Sequence, residues 1–139
     1  MFTIQNNAWS KWQSGKNCCV PISRKGHTAV VYEDRMLVYG GYQDMRGSLG
    51  ELWEFSFSKE QFIYFTISLN NENYFELFLD SHSWKMIHSS RAKKSSEVIP
   101  HGRHSHTAVV FDQGMWVYGG MTDLAERSDL WRLDLGIEN

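Results

Sequence analysis

Pro21 to Tyr42 reads PISRKGHTAVVYEDRMLVYGGY, and Pro100 to Met121 reads PHGRHSHTAVVFDQGMWVYGGM. Twelve of the twenty-two positions are identical, the copies align without a gap, and the offset between them is 79 residues. Leu52-Trp53 and Leu130-Trp131 repeat at nearly the same offset. Self-similarity on this scale marks a repeat architecture, in which one supersecondary module cannot bury its apolar faces alone and must stack on a neighbour.

Each copy opens with a short β-branched run, His27–Tyr32 (HTAVVY) and His106–Phe111 (HTAVVF), bounded by turn-prone Glu33-Asp34 or Asp112-Gln113-Gly114. These runs are expected to be strands with both faces largely buried. Met36–Tyr39 and Met115–Tyr118 follow at once as the second strands of hairpins, and run into Gly40-Gly41 and Gly119-Gly120. Paired glycines at a strand end permit positive φ and let another backbone or ring approach closely. Third strands are expected at Glu51–Phe57 and Asp129–Leu135, where the side chains alternate in period two, and a fourth around Trp84 in HSWKMI. No stretch has the pattern of a long amphipathic helix. The fold class is all-β.

A chain of 139 residues ordinarily makes one domain with a usable core. The net charge of −2 gives no basic field to draw it to nucleic acid or an anionic membrane. Cys18 and Cys19 are adjacent, a spacing at which a mutual disulfide is rare, and read as free thiols of a reducing compartment. The N-terminus lacks the basic and apolar regions of a secretory signal, and no window approaches the roughly twenty apolar residues that span a bilayer. The expected location is cytoplasmic.

At this point the residues resemble the kelch repeats. The unit of that family is a four-stranded propeller blade: an apolar strand, a strand ending in Gly-Gly, then an aromatic residue, six further residues and a Trp. His27, Thr28, Gly40, Gly41, Phe55 and Trp84 fill those places in the first copy, and His106, Thr107, Gly119, Gly120 and Leu133 in the second. The resemblance implies a partial kelch propeller of about two four-stranded antiparallel blades, not a closed ring. Phe55 and Leu133 stand where the family usually has Tyr, and twenty-eight residues rather than six separate Phe55 from Trp84.

The implied organisation is a remnant last strand of a preceding blade and a connector in 1–20, with Trp12, or less well Trp9, as its Trp. A first repeat occupies 21–88, a connector 89–99, and a second repeat 100–139 lacks its last strand. The first repeat is interrupted by an insert, Ser58 to Leu79, SKEQFIYFTISLNNENYFELFL. Removing it leaves six residues between Phe55 and Trp84 and lowers the repeat offset to 57, near the roughly fifty-residue kelch period. Ser58-Lys59 can be coded AGT AAG, containing a splice-donor sequence, and Phe78-Leu79-Asp80 can be coded TTT TTA GAT, containing an acceptor. A translated intron would thus explain the segment; a genuine long loop is the other reading. Its windows FIYFTISL and YFELFL are β-prone and weakly charged, so the insert is expected to pair with something.

His101, His104 and His106 have a spacing that can seat zinc or copper. However, His106 repeats His27, which has no neighbouring histidine, so a structural role is expected and no metal. Arg24 and Arg103 recur three residues after the repeated prolines. One reading packs each stem on a blade rim with its guanidinium on backbone carbonyls. The other lines one mouth of the propeller with arginines that capture acidic partner peptides. Arg91, Lys93 and Lys94 lie in the connector and read as a solvated loop, with Ser95 or Ser96 as places for a phosphate. No G-x-S-x-G, P-loop or C-x-x-C occurs, and no catalytic residue or cofactor is expected.

The resemblance implies a non-catalytic protein-interaction module of scaffold or adaptor type. Its variable loops, Gln43–Gly50 and Thr122–Ser128, would meet protein partners. The alternatives are an inactive fragment or mis-spliced product of a larger kelch protein and, behind that, part of a kelch-type enzyme. Open strand edges and inter-blade faces carrying Trp53, Trp131 and Trp116 lead to an expectation of marginal stability or self-association.

Overall fold

The computed structural model describes residues 9, 11–12, 19–57, 61–64, 76–79, 82–89 and 99–136, with 61–64 and 76–79 described by their backbone. Every regular element among them is a strand. In the first repeat these are β1 (Thr28–Tyr32), β2 (Arg35–Tyr39), β3 (Tyr42–Gln43), β4 (Gly47–Ser48) and β5 (Glu51–Ser56). Then come β6 (Gln61–Tyr64), β7 (Glu76–Leu79) and β8 (Trp84–Ser89). The second repeat supplies β9 (Thr107–Phe111), β10 (Gly114–Tyr118), β11 (Met121–Thr122), β12 (Ala125–Glu126) and β13 (Leu130–Asp134).

The first blade is a four-stranded antiparallel sheet in the order β1-β2-β5-β8, and the second a three-stranded sheet in the order β13-β10-β9. The register explains the core. Val30 faces Leu37 and Tyr39 faces Leu52 across the first sheet, so these side chains share one face. In the second sheet Ala108 faces Val117, which faces Trp131, and Val110 faces Met115. These two faces meet. Leu37, Tyr39 and Leu52 form one buried cluster with Met115, Val117 and Leu135, flanked by Val30, Tyr32, Ala108, Val110 and Trp131. Leu37 and Met115 are the most enclosed apolar side chains; full burial of such a side chain stabilises by about 1.5–3 kcal/mol.

Several expectations are corrected here. β1 and β9 are buried on one face, not two: Ala29 and Val31 on one, and Thr107, Val109 and Phe111 on the other, are open to solvent. Each blade has two broad faces, and its neighbour covers only one of them. Trp53 is buried, and Trp131 packs against the core cluster. Trp116 is half-buried, with its indole N–H donating to the Phe111 carbonyl at 3.1 Å and the Arg132 guanidinium over its ring. Apolar exposure falls instead on Val31, Val109, Phe111, Tyr118 and Leu130. Trp12 lies edge-on to Phe55 with centroids 5.0 Å apart and Trp9 is fully exposed; most of the remnant strand expected in 1–20 lies outside the described residues.

Between β5 and β8 the backbone of β6 and β7 forms a hairpin, paired from Gln61↔Leu79 to Tyr64↔Glu76. Beneath it β5 and β8 pair directly, with Phe55 opposite Trp84 and the Ser56 N–H donating to the Ser83 carbonyl at 3.1 Å. The blade's strand pairing is therefore complete without the hairpin. A chain lacking residues 58–79 is expected to keep its β-type circular dichroism, with a melting temperature within a few degrees of, or above, the parent's. Loss of the cooperative transition on excision would show that the hairpin stabilises the blade.

Candidate functional site

Both blades are held at the same place by the same three-part contact. In the first, the Arg24 guanidinium donates to the Glu51 carboxylate at 2.7 Å and to the Gly40 carbonyl at 3.0 Å, while Trp53 donates to the same carboxylate at 2.9 Å. In the second, Arg103 donates to both Asp129 oxygens, at 2.7 and 2.9 Å, and to the Gly119 carbonyl at 2.9 Å. Trp131 donates to Asp129 at 2.6 Å. A bidentate guanidinium–carboxylate pair fixes position as well as charge. Arg103 has 0% exposure, so its charge is tolerable only because a carboxylate and two carbonyls accept its N–H hydrogen bonds. The hydrogen bond from Arg103 holds the Asp129 carboxyl well below the usual carboxylate range, and that bond to Asp129 raises Arg103 in turn. Burial pushes Glu51 up, but hydrogen bonds from Trp53 and Arg24 outweigh it and leave the group below its ordinary value.

Of the two roles the sequence left open for Arg24 and Arg103, the geometry gives each guanidinium a set of partners inside its own chain. Glu51 and Asp129 were missed as those partners. The signal was present: each acid immediately precedes a repeated Leu-Trp.

The junction between blades is built on the second Arg. Its carbonyl accepts from the Gly41 N–H at 2.8 Å, and its own N–H donates to the Leu49 carbonyl at 3.0 Å. The Ser105 N–H donates to the Gly26 carbonyl at 2.8 Å. Gly40, at φ 68°, shows why a glycine ends this strand: a Cβ there would stand 2.5 Å from the Arg103 carbonyl oxygen and 2.8 Å from the His106 ring. Gly120, at φ 89°, would place a Cβ 2.7 Å from the His104 carbonyl oxygen. Backbone passes where side chains would be.

The histidines part company in this setting. His106 is buried against Tyr39, with ring centroids 5.4 Å apart, and its Nε2 lies 2.7 Å from the Thr28 hydroxyl. Its repeat equivalent His27 is exposed, with no blade among the described residues covering that side. Burial, aided by the Arg103 charge, pulls the His106 pKa down to about 4, so the ring is neutral at physiological pH. Burial likewise pushes the Tyr39 hydroxyl up to about 12. His104 packs on Tyr42 at 5.3 Å and shares a hydrogen bond with Ser105. Among the described residues no three of His, Cys, Asp and Glu are grouped to hold a metal ion. Phe55 and Trp84 touch, with ring centroids 5.1 Å apart, whereas Leu133 lies at an open edge of β13 and Thr107 is exposed. Cys19 is exposed. Cys18, Arg91, Lys93, Lys94, Ser95 and Ser96 lie outside the described residues.

Two small hairpins stand over one end of the junction. β3 pairs with β4 and β11 with β12, ladders too short to read from sequence. Each is tied down by equivalent bonds, Leu49 N–H to the Gly41 carbonyl and Arg127 N–H to the Gly120 carbonyl, both 2.8 Å. They touch each other where the Asp123 N–H donates to the Ser48 hydroxyl at 2.9 Å. Their tips carry bare apolar side chains, Met45 at 88% exposure and Leu124 at 94%. Between them opens a cleft of about 380 Å³, lined by Lys25, Tyr42, His104, Met121, Asp123 and Leu124 among others. Lys25 forms an exposed ion pair with Asp44 at 2.9 Å.

A family model described as the KLHDC2/KLHL20/DRC7 Kelch-repeats domain matches residues 1–139. Leucine-zipper-like transcriptional regulator 1 of Homo sapiens is 22% identical over 169 residues, covering 99% of this chain and 20% of that protein. Host cell factor homolog hcf-1 of Caenorhabditis elegans is 32% identical over 112 residues, covering 78% of this chain and 11% of that protein. Kelch domain-containing protein 3 of Mus musculus is 25% identical over 122 residues, covering 86% and 25%. The chain thus spans a quarter or less of the length of these relatives. No helix among the described residues is long and apolar enough to cross a membrane.

Two outcomes follow from the junction. Arg103→Ala is expected to destabilise by about 3–5 kcal/mol in urea denaturation, and Arg103→Lys to recover less than half of that, because an ammonium cannot hold Asp129 bidentately. Since the folded pKa of His106 lies below its unfolded value near 6.5, the unfolded chain gains a proton first as pH falls. Stability is therefore full above about pH 6.5 and declines, by on the order of 2 kcal/mol, as pH falls towards about 4. His106→Gln should flatten that window, while the loss below about pH 4 from Glu51 and Asp129 should persist.

Proposed function

Because the chain belongs to the kelch-repeat family, we propose that it is a non-catalytic protein-interaction module of scaffold or adaptor type whose contact surface is the pair of β3–β4 and β11–β12 hairpins. The observation that carries this is the contrast between the two halves of each repeat. The Arg, Gly-Gly, acid and Trp positions that fix the backbone are the same in both copies, whereas the hairpin tips, QDMRGS and TDLAER, share little. A fixed frame presenting different tips is how repeat proteins build partner surfaces.

Met45 and Leu124 are the anchors of this surface. Exposed apolar side chains on rigid hairpins lose little entropy on docking, and the cleft beside Tyr42 and His104 has room for one partner side chain. Arg24 and Arg103 serve it indirectly, by holding the strand ends from which the hairpins rise. The partner is a protein segment. In this reading the regulator and host cell factor relatives supply the class of role and nothing finer.

A test is selection of peptides from a random display library on the 139-residue chain, followed by titration of the enriched sequences. Met45→Asp with Leu124→Asp is expected to weaken binding at least about tenfold while the melting temperature stays unchanged. Enriched peptides that bind the double variant as tightly as the parent would place the contact surface elsewhere. Failure of any sequence to enrich above a scrambled control would remove the interaction reading.

A further inference from the structure

The cleft between the two hairpin tips is built from the same positions of both repeats, filled with unlike residues. Lys25 and Tyr42 of the first repeat correspond to His104 and Met121 of the second, and each pair forms the same antiparallel bridge. One copy thus supplies a cation and a phenol ring, the other an imidazole and a thioether. Tyr42 lies edge-on to His104 with centroids 5.3 Å apart, and the Lys25 ammonium stands over the Tyr42 ring at 5.2 Å. Met121 and the exposed Leu124 give the space, about 380 Å³, an aliphatic side.

Asp123 sets the charge of this space. Its φ of 54° and its N–H bond to the Ser48 hydroxyl fix the backbone at the lip. One carboxylate oxygen lies 3.2 Å from where a Cβ on Gly47 would stand, so the group is held against the facing hairpin. Among the described residues that carboxylate forms no hydrogen bond or ion pair. The cations around it are committed elsewhere. Lys25 is paired with Asp44 at 2.9 Å, the Arg127 side chain donates to the Thr122 hydroxyl at 3.0 Å, and Arg46 acts on the Glu51 charge. Arg24 and Arg103 are turned onto Glu51 and Asp129. The cleft is therefore aromatic and aliphatic along its walls and ends in one uncompensated negative charge. Its complement is a long side chain with an apolar stem and a cationic head.

We propose, resting on the hairpin pair as the partner surface, that this cleft takes an arginine of the partner segment. Its stem lies along Met121 and Leu124, its guanidinium plane stacks against the Tyr42–His104 pair, and its fork closes on the Asp123 carboxylate. The Lys25–Asp44 pair shows the arrangement once within the chain, a cation above Tyr42 with a carboxylate at hydrogen-bond distance. Arginine suits the place better than lysine, because it holds a carboxylate through two bonds and is more weakly hydrated. An acidic segment would meet Asp123 as a like charge and find Lys25 already paired.

Peptides selected from the random display library on the 139-residue chain test this when titrated by fluorescence anisotropy. The expected result is a shared arginine in the enriched sequences and binding weakened about fivefold or more by Asp123→Asn. Asn tolerates positive φ and keeps the N–H to Ser48, so the melting temperature stays unchanged. Replacing the peptide's arginine by norleucine costs the parent the same factor and costs Asp123→Asn almost nothing, since the two changes remove one interaction. The norleucine peptide needs no protein variant, so it reads the contact even where a variant unfolds. Affinity for the parent falls as salt rises from about 0.05 to 0.5 M, and falls less for Asp123→Asn. If Met45→Asp with Leu124→Asp abolishes binding while Asp123→Asn leaves it intact, the hairpin surface stands and the arginine assignment is overturned. Enriched acidic sequences that lose affinity on Lys25→Gln overturn it as well. Should no peptide enrich, both readings fall together.

Discussion

An arginine with no solvent exposure sits where the two blades of this protein meet, and most of the architecture can be traced from its needs. Its guanidinium must keep its charge, since Arg does not deprotonate in proteins, and so it must be paired. Asp129 supplies two oxygens and the Gly119 carbonyl a third acceptor. That pins the end of β10 to the start of β13. Meanwhile the Arg103 backbone crosses to the first blade, accepting from Gly41 and donating to Leu49. One residue therefore orders its own blade through its side chain and locates the neighbouring blade through its main chain. The glycine pair exists to let that main chain pass.

The first blade repeats the arrangement with Arg24, Glu51, Trp53 and Gly40, which establishes it as a property of the repeat. Its setting differs, however. Arg24 pairs through one nitrogen to one carboxylate oxygen, and its neighbours His27 and Ala29 face solvent. Identical sequence gives unequal burial because a blade's second face is completed only by another blade. The contrast between His27 and His106 is the sharpest instance: each immediately precedes the first strand of its repeat, but His27 is exposed whereas His106 is buried and held neutral by desolvation.

Much of this was legible beforehand. The doubled HTAVV and VYGG stretches specify two hairpins and the third strands alternate in period two, so the all-β class was readable from pattern, while the four-stranded blade was what the kelch resemblance implied. The third and fourth strands meet at Phe55 and Trp84 despite the residues between them. Reading both faces of β1 and β9 as buried went too far, because apolar composition states what a strand can bury and not whether a neighbour stands on each side. The short β3–β4 and β11–β12 ladders were invisible for another reason. Two-residue strands have no period, and tertiary bonds to Gly41 and Gly120 hold them.

The sequence by itself determined the repeat, the strand pattern and the need for glycine at two strand ends, since these follow from periodicity and from local backbone sterics. Tertiary structure alone decided which acids the arginines meet, which of two equivalent histidines is buried, and which apolar faces are open. Those depend on stacking, and stacking places residues some 26 to 78 positions apart into contact, as with Arg103 and Asp129 or Thr28 and His106. Repetition hides that difference in the one-dimensional record, because equal strings there acquire unequal neighbours only when the blades are laid against each other.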